Sequence, residues 1–157
     1  MTATTKTGPG ACSIVTVESR LTAAAKAMVR MDEIPQTERA LRRKIDAALQ
    51  TLEVGPLGPT FTLWRPPMDG RLDLEPGVVV SRAFEPVGEV VPSSLPGGRT
   101  AHVVLAGPFD GLPGAWNTLL SWCAGQDLKL AGINWQIYGD EGGDAAEMKT
   151  SLHALLA

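Results

Sequence analysis

Gly58–Trp64 reads GPTFTLW and Gly132–Tyr138 reads GINWQIY. Each is a glycine followed by a short β-branched and aromatic run, the composition of a strand. A shift of 74 residues carries Gly58 onto Gly132, Phe61 onto Trp135, Leu63 onto Ile137 and Trp64 onto Tyr138. The same shift takes Leu41, Ile45 and Leu49 onto Ala115, Leu119 and Cys123, residues spaced to share one face of a helix. Amphipathic elements do align by chance. The shared glycine ahead of an aromatic strand favours duplication over chance.

Working outward, Ser13–Ser19 (SIVTVES) alternates as a strand. Leu21–Met31 is open: its alanines suit a helix, its Met28, Val29 and Met31 a strand. Pro35–Leu52 predicts a helix, with Pro35 in its first turn, Gly55 just past its end, and Glu38 four residues before Arg42 for an ion pair. Phe61–Trp64 is a strand closed by Pro66-Pro67. Met68–Pro76 reads as a polar loop, Gly77–Phe84 as a strand and Pro86–Gly98 as an aperiodic connector. The order then repeats: strand Arg99–Ala106, a turn with Asp110 as helix N-cap, helix Gly111–Gly125, strand Gly132–Tyr138, and a turn at Asp140–Gly143. Met148–Leu156 fits strand or helix. Each half is thus strand, helix, strand, strand. A single such unit covers one sheet face only, so two are expected to pair about a pseudo-twofold axis with a groove at the junction.

A chain of 157 residues, 44% of them hydrophobic, has the size and composition of one globular domain. A net charge of −3 offers no basic face for nucleic acid. Arg39, Arg42, Arg43 and Lys44 sit among Asp32, Glu33 and Glu38, the pattern of a solvated helix face. Cys12 and Cys123 lack metal or redox spacing, and reduced thiols are expected. The first 12 residues read as a flexible tail without an apolar leader, no run suits a membrane span, and a cytoplasmic location follows as the expectation.

The run Leu95–Leu112 (LPGGRTAHVVLAGPFDGL), the helix with Trp116 and Trp122, and Gly132–Tyr138 together resemble the GyrI-like small-molecule-binding domains. These also serve as effector-binding domains of AraC- and MerR-type bacterial transcription regulators. The resemblance covers the chain from Ser13 to its end. It implies an α+β fold of two tandem βαββ repeats (about 13–85 and about 99–157) with antiparallel sheets, two long helices and a central groove. It makes Leu21–Met31 and Met148–Leu156 strands. It also implies hydrophobic, often cationic ligands, as in multidrug binding. Many members carry a glutamate two residues before the tyrosine of the final aromatic strand; this chain has Gln136. An amide donates and accepts without charge, so cation selectivity and any glutamate-dependent hydrolysis are placed in doubt. No helix-turn-helix segment is recognised ahead of the domain, so direct DNA binding is not expected.

Alternate residues of a strand share a face, so Asn134, Gln136 and Tyr138 point one way and Trp135 and Ile137 the other. Thr60, Thr62 and Trp64 are the counterparts of the first set. The resemblance makes Trp64 and Tyr138 facing aromatics across the groove, with Gln136 and Thr62 as polar contacts. Without it they read more simply as core or rim aromatics. Phe61 and Trp135 are expected to pack under the helices. Trp116 is core or groove wall, Phe109 a plug at the groove mouth or a surface residue. His102 is either a satisfied core group or a site residue. Asp73 and Glu75 are the remaining carboxylates that could reach the groove. No G-x-S-x-G, H-E-x-x-H or G-x-x-x-x-G-K-[ST] motif occurs, and no metal or cofactor is implied. The expected function is therefore binding of a hydrophobic or aromatic small molecule in sensing, sequestration or regulation, with hydrolysis of reactive electrophiles as the alternative. Nothing in the residues specifies an oligomeric state.

Overall fold

The computed structural model describes residues 11–139 and 149–157. The tail at 1–10, the turn at 140–143 and Met148 lie outside the described residues. The elements are strands β1 (Ser13–Val17), β2 (Arg20–Ala24) and β3 (Ala27–Arg30), helix α1 (Ile34–Leu49), strands β4 (Thr60–Met68), β5 (Arg71–Val79), β6 (Val91–Leu95) and β7 (Gly98–Ala106), helix α2 (Leu112–Gly125), and strands β8 (Leu130–Tyr138) and β9 (Lys149–Leu156). They form two compact units, one from Glu18–Gly97 and one from β1 with the chain after Gly98. The fold is α+β with antiparallel sheets, as the sequence predicts.

In the Glu18–Gly97 unit the sheet order is β4-β5-β2-β6, with β3 also on β5. Leu41, Ile45 and Ala48 of α1 pack on Ala23, Ala25, Val78, Val80 and Val90. Alanines at 23, 24 and 25 are fully buried. Their small side chains admit the helix close to the sheet, so an Ala-rich run is extended here: packing overrides intrinsic helix propensity. A short 3-10 turn, Met31–Glu33, leads into α1, and the backbone N–H of Arg30 donates to Glu33 Oε1 at 3.0 Å.

Three readings of this half are corrected. The strand containing FTLW does not stop at Pro66-Pro67 but runs to Met68. The prolines coincide with a register shift between Arg65 and Met68, where ladder bonds are interrupted and missing N–H groups cost little. Met68–Pro76 is not a loop, because β4 turns straight into β5 at Asp69-Gly70, with φ of 56° and 76°. An Asp-Gly pair with both φ positive is a tight hairpin turn, a signal present in the sequence and passed over. The Pro86–Gly98 connector holds β6, which pairs with β2 from Arg20↔Leu95 to Ala24↔Val91.

The other unit has the order β1-β7-β9-β8. Leu119 and Cys123 of α2 pack on Ala101, Val103, Leu152 and Ala154, with Cys12, Trp116 and Trp122 against the same cluster. β1 pairs with β7, Ser13 opposite His102. Asp110 is not the N-cap of α2: it lies in a 3-10 turn, Phe109–Gly111, and Gly111 occupies the cap without a side-chain bond. Likewise α1 ends at Leu49 with Gln50 as its cap, ahead of Gly55. Within each unit the helix joins an inner-sheet strand to a hairpin, and the hairpin's second strand lies in the middle (β4-β5-β2, β8-β9-β7).

Candidate functional site

Strand parity places the side chains. Gln136 is opposite Leu152 and Tyr138 opposite Thr150, and Leu152 belongs to the cluster beneath α2. Cross-strand partners share a face, so Gln136, Tyr138 and Thr150 lie on the α2 side of their sheet. Trp116 of α2 reaches that face. Its indole Nε1 donates to Gln136 Oε1 at 2.8 Å, and Gln136 Nε2 donates to Tyr138 Oη at 2.8 Å. The Phe109 ring, 48% exposed, sits 5.4 Å from the Tyr138 ring at 58°, within the range for tilted aromatic pairs. Four of the expected site residues are thus assembled: Phe109, Trp116, Gln136 and Tyr138. Phe109 is there because the turn before α2 presents it.

Trp135 and Ile137 point to the other face, as parity requires. Trp135 is buried and stacks on His153 at 5.3 Å and 15°; His153 Nδ1 lies 2.9 Å from Thr100 Oγ1. The His102 ring is 4.7 Å from His153 on this same face, so the structure separates His102 from Gln136 and Tyr138 by the thickness of the sheet. The expectation that Trp135 packs under the helix is therefore corrected. It is core, but on the side away from α2. Phe61 repeats this. It is opposite Gly77 and fully buried, while the α1 side is filled by Val78 and Ala23.

Thr62 and Trp64 lie on the α1 face of their own sheet. Trp64 is partly buried against Val29, Leu72 and Leu74. Thr62 is 4% exposed, and its hydroxyl donates to Glu38 and accepts from Arg42 Nη2 at 3.2 Å. Arg42 also donates to the carbonyls of Gly77, at 2.7 Å, and Phe61. The predicted Glu38–Arg42 pair is present at 3.7 Å. This arginine was read only as part of a solvated face; its role in tying α1 to β4 and β5 has no signature in spacing. Arg42 and Thr62 stand 74 residues before Trp116 and Gln136. At equivalent positions each unit thus sends a helix donor to a strand acceptor.

Asp73 and Glu75 alternate with Leu72, Leu74 and Pro76, so they occupy the sheet face opposite Trp64. Asp73 pairs with Arg65 at 3.0 Å. Glu75, 3% exposed, accepts from Ser93 Oγ at 2.9 Å and lies 3.8 Å from Lys26 Nζ. Among the described residues no group of three or more His, Cys, Asp or Glu is placed to hold a metal ion. A cavity of about 360 Å³ opens between β7 and the start of α2, lined by Val103, Leu105, Gly111, Ala115 and Thr118 among others. It contains none of the hydrogen-bonded chain and offers no titratable group, so it carries no polar anchor.

Residues 11–150 match the GyrI-like small molecule binding domain, and the chain belongs to that family. No curated protein sequence matches it. Among solved structures it resembles the C-terminal domain of EcmrR, at 18% identity and TM-score 0.72 over 93% of this chain and 96% of that one. It resembles SAV2435, solved bound to tetraphenylphosphonium, at 13% identity and TM-score 0.70 over 93% of each chain. A hydrolase encoded by lin2189 from Listeria innocua shares the fold at 11% identity and TM-score 0.56, over 93% and 91%. At these identities the likeness is one of fold. No helix among the described residues is long and apolar enough to cross a membrane.

Proposed function

We propose that this chain binds a hydrophobic or aromatic small molecule at the α2-side face that carries Gln136 and Tyr138, and acts in sensing, sequestration or regulation. The observation that supports it is the chain Trp116–Gln136–Tyr138, with Phe109 beside it, in a family whose domain binds small molecules. Tyrosine and tryptophan supply apolar area together with a polar handle, which suits an aromatic ligand. SAV2435 binds a bulky lipophilic cation, so a compact aromatic scaffold is the natural probe. The reading includes the groove between repeats that the family resemblance implies, with Trp64 opposite Tyr138 and Thr62 nearby, and a cytoplasmic setting without direct nucleic-acid contact.

Titration with lipophilic aromatic ligands should change intrinsic tryptophan fluorescence. Trp64→Ala and Tyr138→Ala should each weaken binding by about 1–3 kcal/mol, the scale of one large buried apolar contact. Unchanged affinity in a folded Trp64→Ala protein removes Trp64 from the site; unchanged affinity in both variants removes the site itself. Hydrolysis is the second reading, because a hydrolase shares the fold. It lacks the expected acid at position 136.

A further inference from the structure

The hydrogen-bond chain through Gln136 has a direction. An indole N–H donates and cannot accept. Trp116 Nε1 therefore holds the carbonyl oxygen of the Gln136 amide toward α2. The amide nitrogen must then face the other way, where it donates one N–H to Tyr138 Oη. An amide nitrogen carries two N–H groups, and among the described residues no second acceptor of Gln136 Nε2 is recorded. Directly across from Tyr138, Thr150 is fully buried, and its hydroxyl oxygen has no hydrogen-bond partner among the described residues. A buried hydroxyl left unmade is costly, and the cost is relieved when a ligand atom completes it. Two unmet polar groups thus lie on one sheet face beside an aromatic pair.

We propose that Trp116 is a specificity-determining positioning residue: by locking the Gln136 amide nitrogen outward, it makes the site select aromatic ligands that carry a neutral hydrogen-bond acceptor such as a carbonyl oxygen. Thr150 is the second polar contact of that acceptor. This rests on the ligand-binding function proposed above. A carboxylate at position 136 would take hydrogen bonds from both Trp116 and Tyr138 and reward a cation. The amide, oriented by the indole, presents a donor and no charge.

The test measures benzophenone, diphenylmethane and tetraphenylphosphonium by equilibrium dialysis against the wild type, Trp116→Phe, Gln136→Leu and Thr150→Val. Benzophenone differs from diphenylmethane by the carbonyl oxygen. The wild type should favour benzophenone by about fivefold or more, the worth of one neutral hydrogen bond. In Trp116→Phe the ring remains and the donor is lost, so the amide turns freely. The ratio should fall toward one, while affinity for diphenylmethane stays within about twofold, since no apolar contact is removed. A merely structural role for Trp116 would weaken all three probes together and leave the ratio intact. If Trp116→Phe does not fold by circular dichroism, Gln136→Leu, which deletes the amide, must abolish the ratio instead. Thr150→Val should lower it without destabilising the protein. A ratio that survives in Trp116→Phe or Gln136→Leu, or a wild type that binds both neutral probes equally, overturns the inference and leaves the ligand-binding function standing. A wild type that binds none of the three overturns both.

Discussion

Gln136 is bonded on both sides, to Trp116 and to Tyr138, at 2.8 Å each. Gln136→Glu keeps the shape and adds a charge. A partly buried carboxylate is costly unpaired and favourable beside a cation. The variant should be less stable alone, and should prefer a cationic dye over its matched neutral partner by at least about tenfold relative to wild type, the low end for a close charge pair. Paired dye titrations check this; a wild type that already strongly prefers the cation places another carboxylate at the ligand. The thiols make a second case at this scale. Burial pushes the Cys123 thiol above its ordinary value of 9.0, with the Cys12 charge adding to it, and burial raises Cys12 as well. A raised folded pKa means the unfolded chain loses its proton first. The stabilising contribution is whole below pH 9.0 and is lost as pH climbs through the folded value. The melting temperature of wild type should therefore fall above pH 9.0 more steeply than that of Cys123→Ala, and parallel slopes would reject the effect. Side-chain direction was legible before any coordinates: parity alone separates Gln136 and Tyr138 from Trp135 and Ile137. What parity cannot say is which face the helix covers, which is why Trp135 and Phe61 were assigned to the wrong side. The choice depends on alanines at 23 and 101 that carry no directional signal.

At the scale of elements, α1 and α2 were legible within a few residues, since a helix stripe repeats many times over its length. The strands fared worse where chemistry and pattern conflict. Pro66-Pro67 looked like an end and is a bulge; β6 contains Pro92 and Pro-rich flanks and still pairs as an edge to β2, where a missing N–H faces outward. The join between α1 and its sheet depends on Arg42, which donates to two main-chain carbonyls and to Thr62. Arg42→Met keeps most of the apolar stem and removes the donors. It should cost about 1.5–3 kcal/mol, as for hydrogen bonds to a charged group. Arg39→Met, on the exposed side of the same helix, should stay within about 0.5 kcal/mol. Urea unfolding of the two variants decides the matter: equal losses would mean that Arg42 contributes only as a solvated charge.

For the whole molecule, the shift of 74 residues that relates the aromatic strands also relates Arg42 to Trp116 and Thr62 to Gln136. One half uses that contact to close its own structure with a charge, and the other uses it to orient a neutral amide. If the chain is a binder, a ligand should stabilise it by mass action and remain intact. At a free concentration of about 100 times Kd the gain is about 2.7 kcal/mol. For a chain of this size that raises the melting temperature by about 5–10 °C, taking about 2–4 °C per kcal/mol. The rise should be the same after a long incubation as at mixing. A hydrolase acting on an electrophilic ligand would convert it, and the rise would decay at the rate of product formation unless product binds equally well, which chromatography of the mixture resolves. Gln136→Glu provides the contrast within one fold, since it restores a group able to act as acid or base. A rise that decays in the wild type, with product accumulating, and that becomes stable in Tyr138→Phe, would make the protein an enzyme. A stable rise in the wild type, joined by slow decay only in Gln136→Glu, is the result expected of a binding protein whose groove has been made neutral.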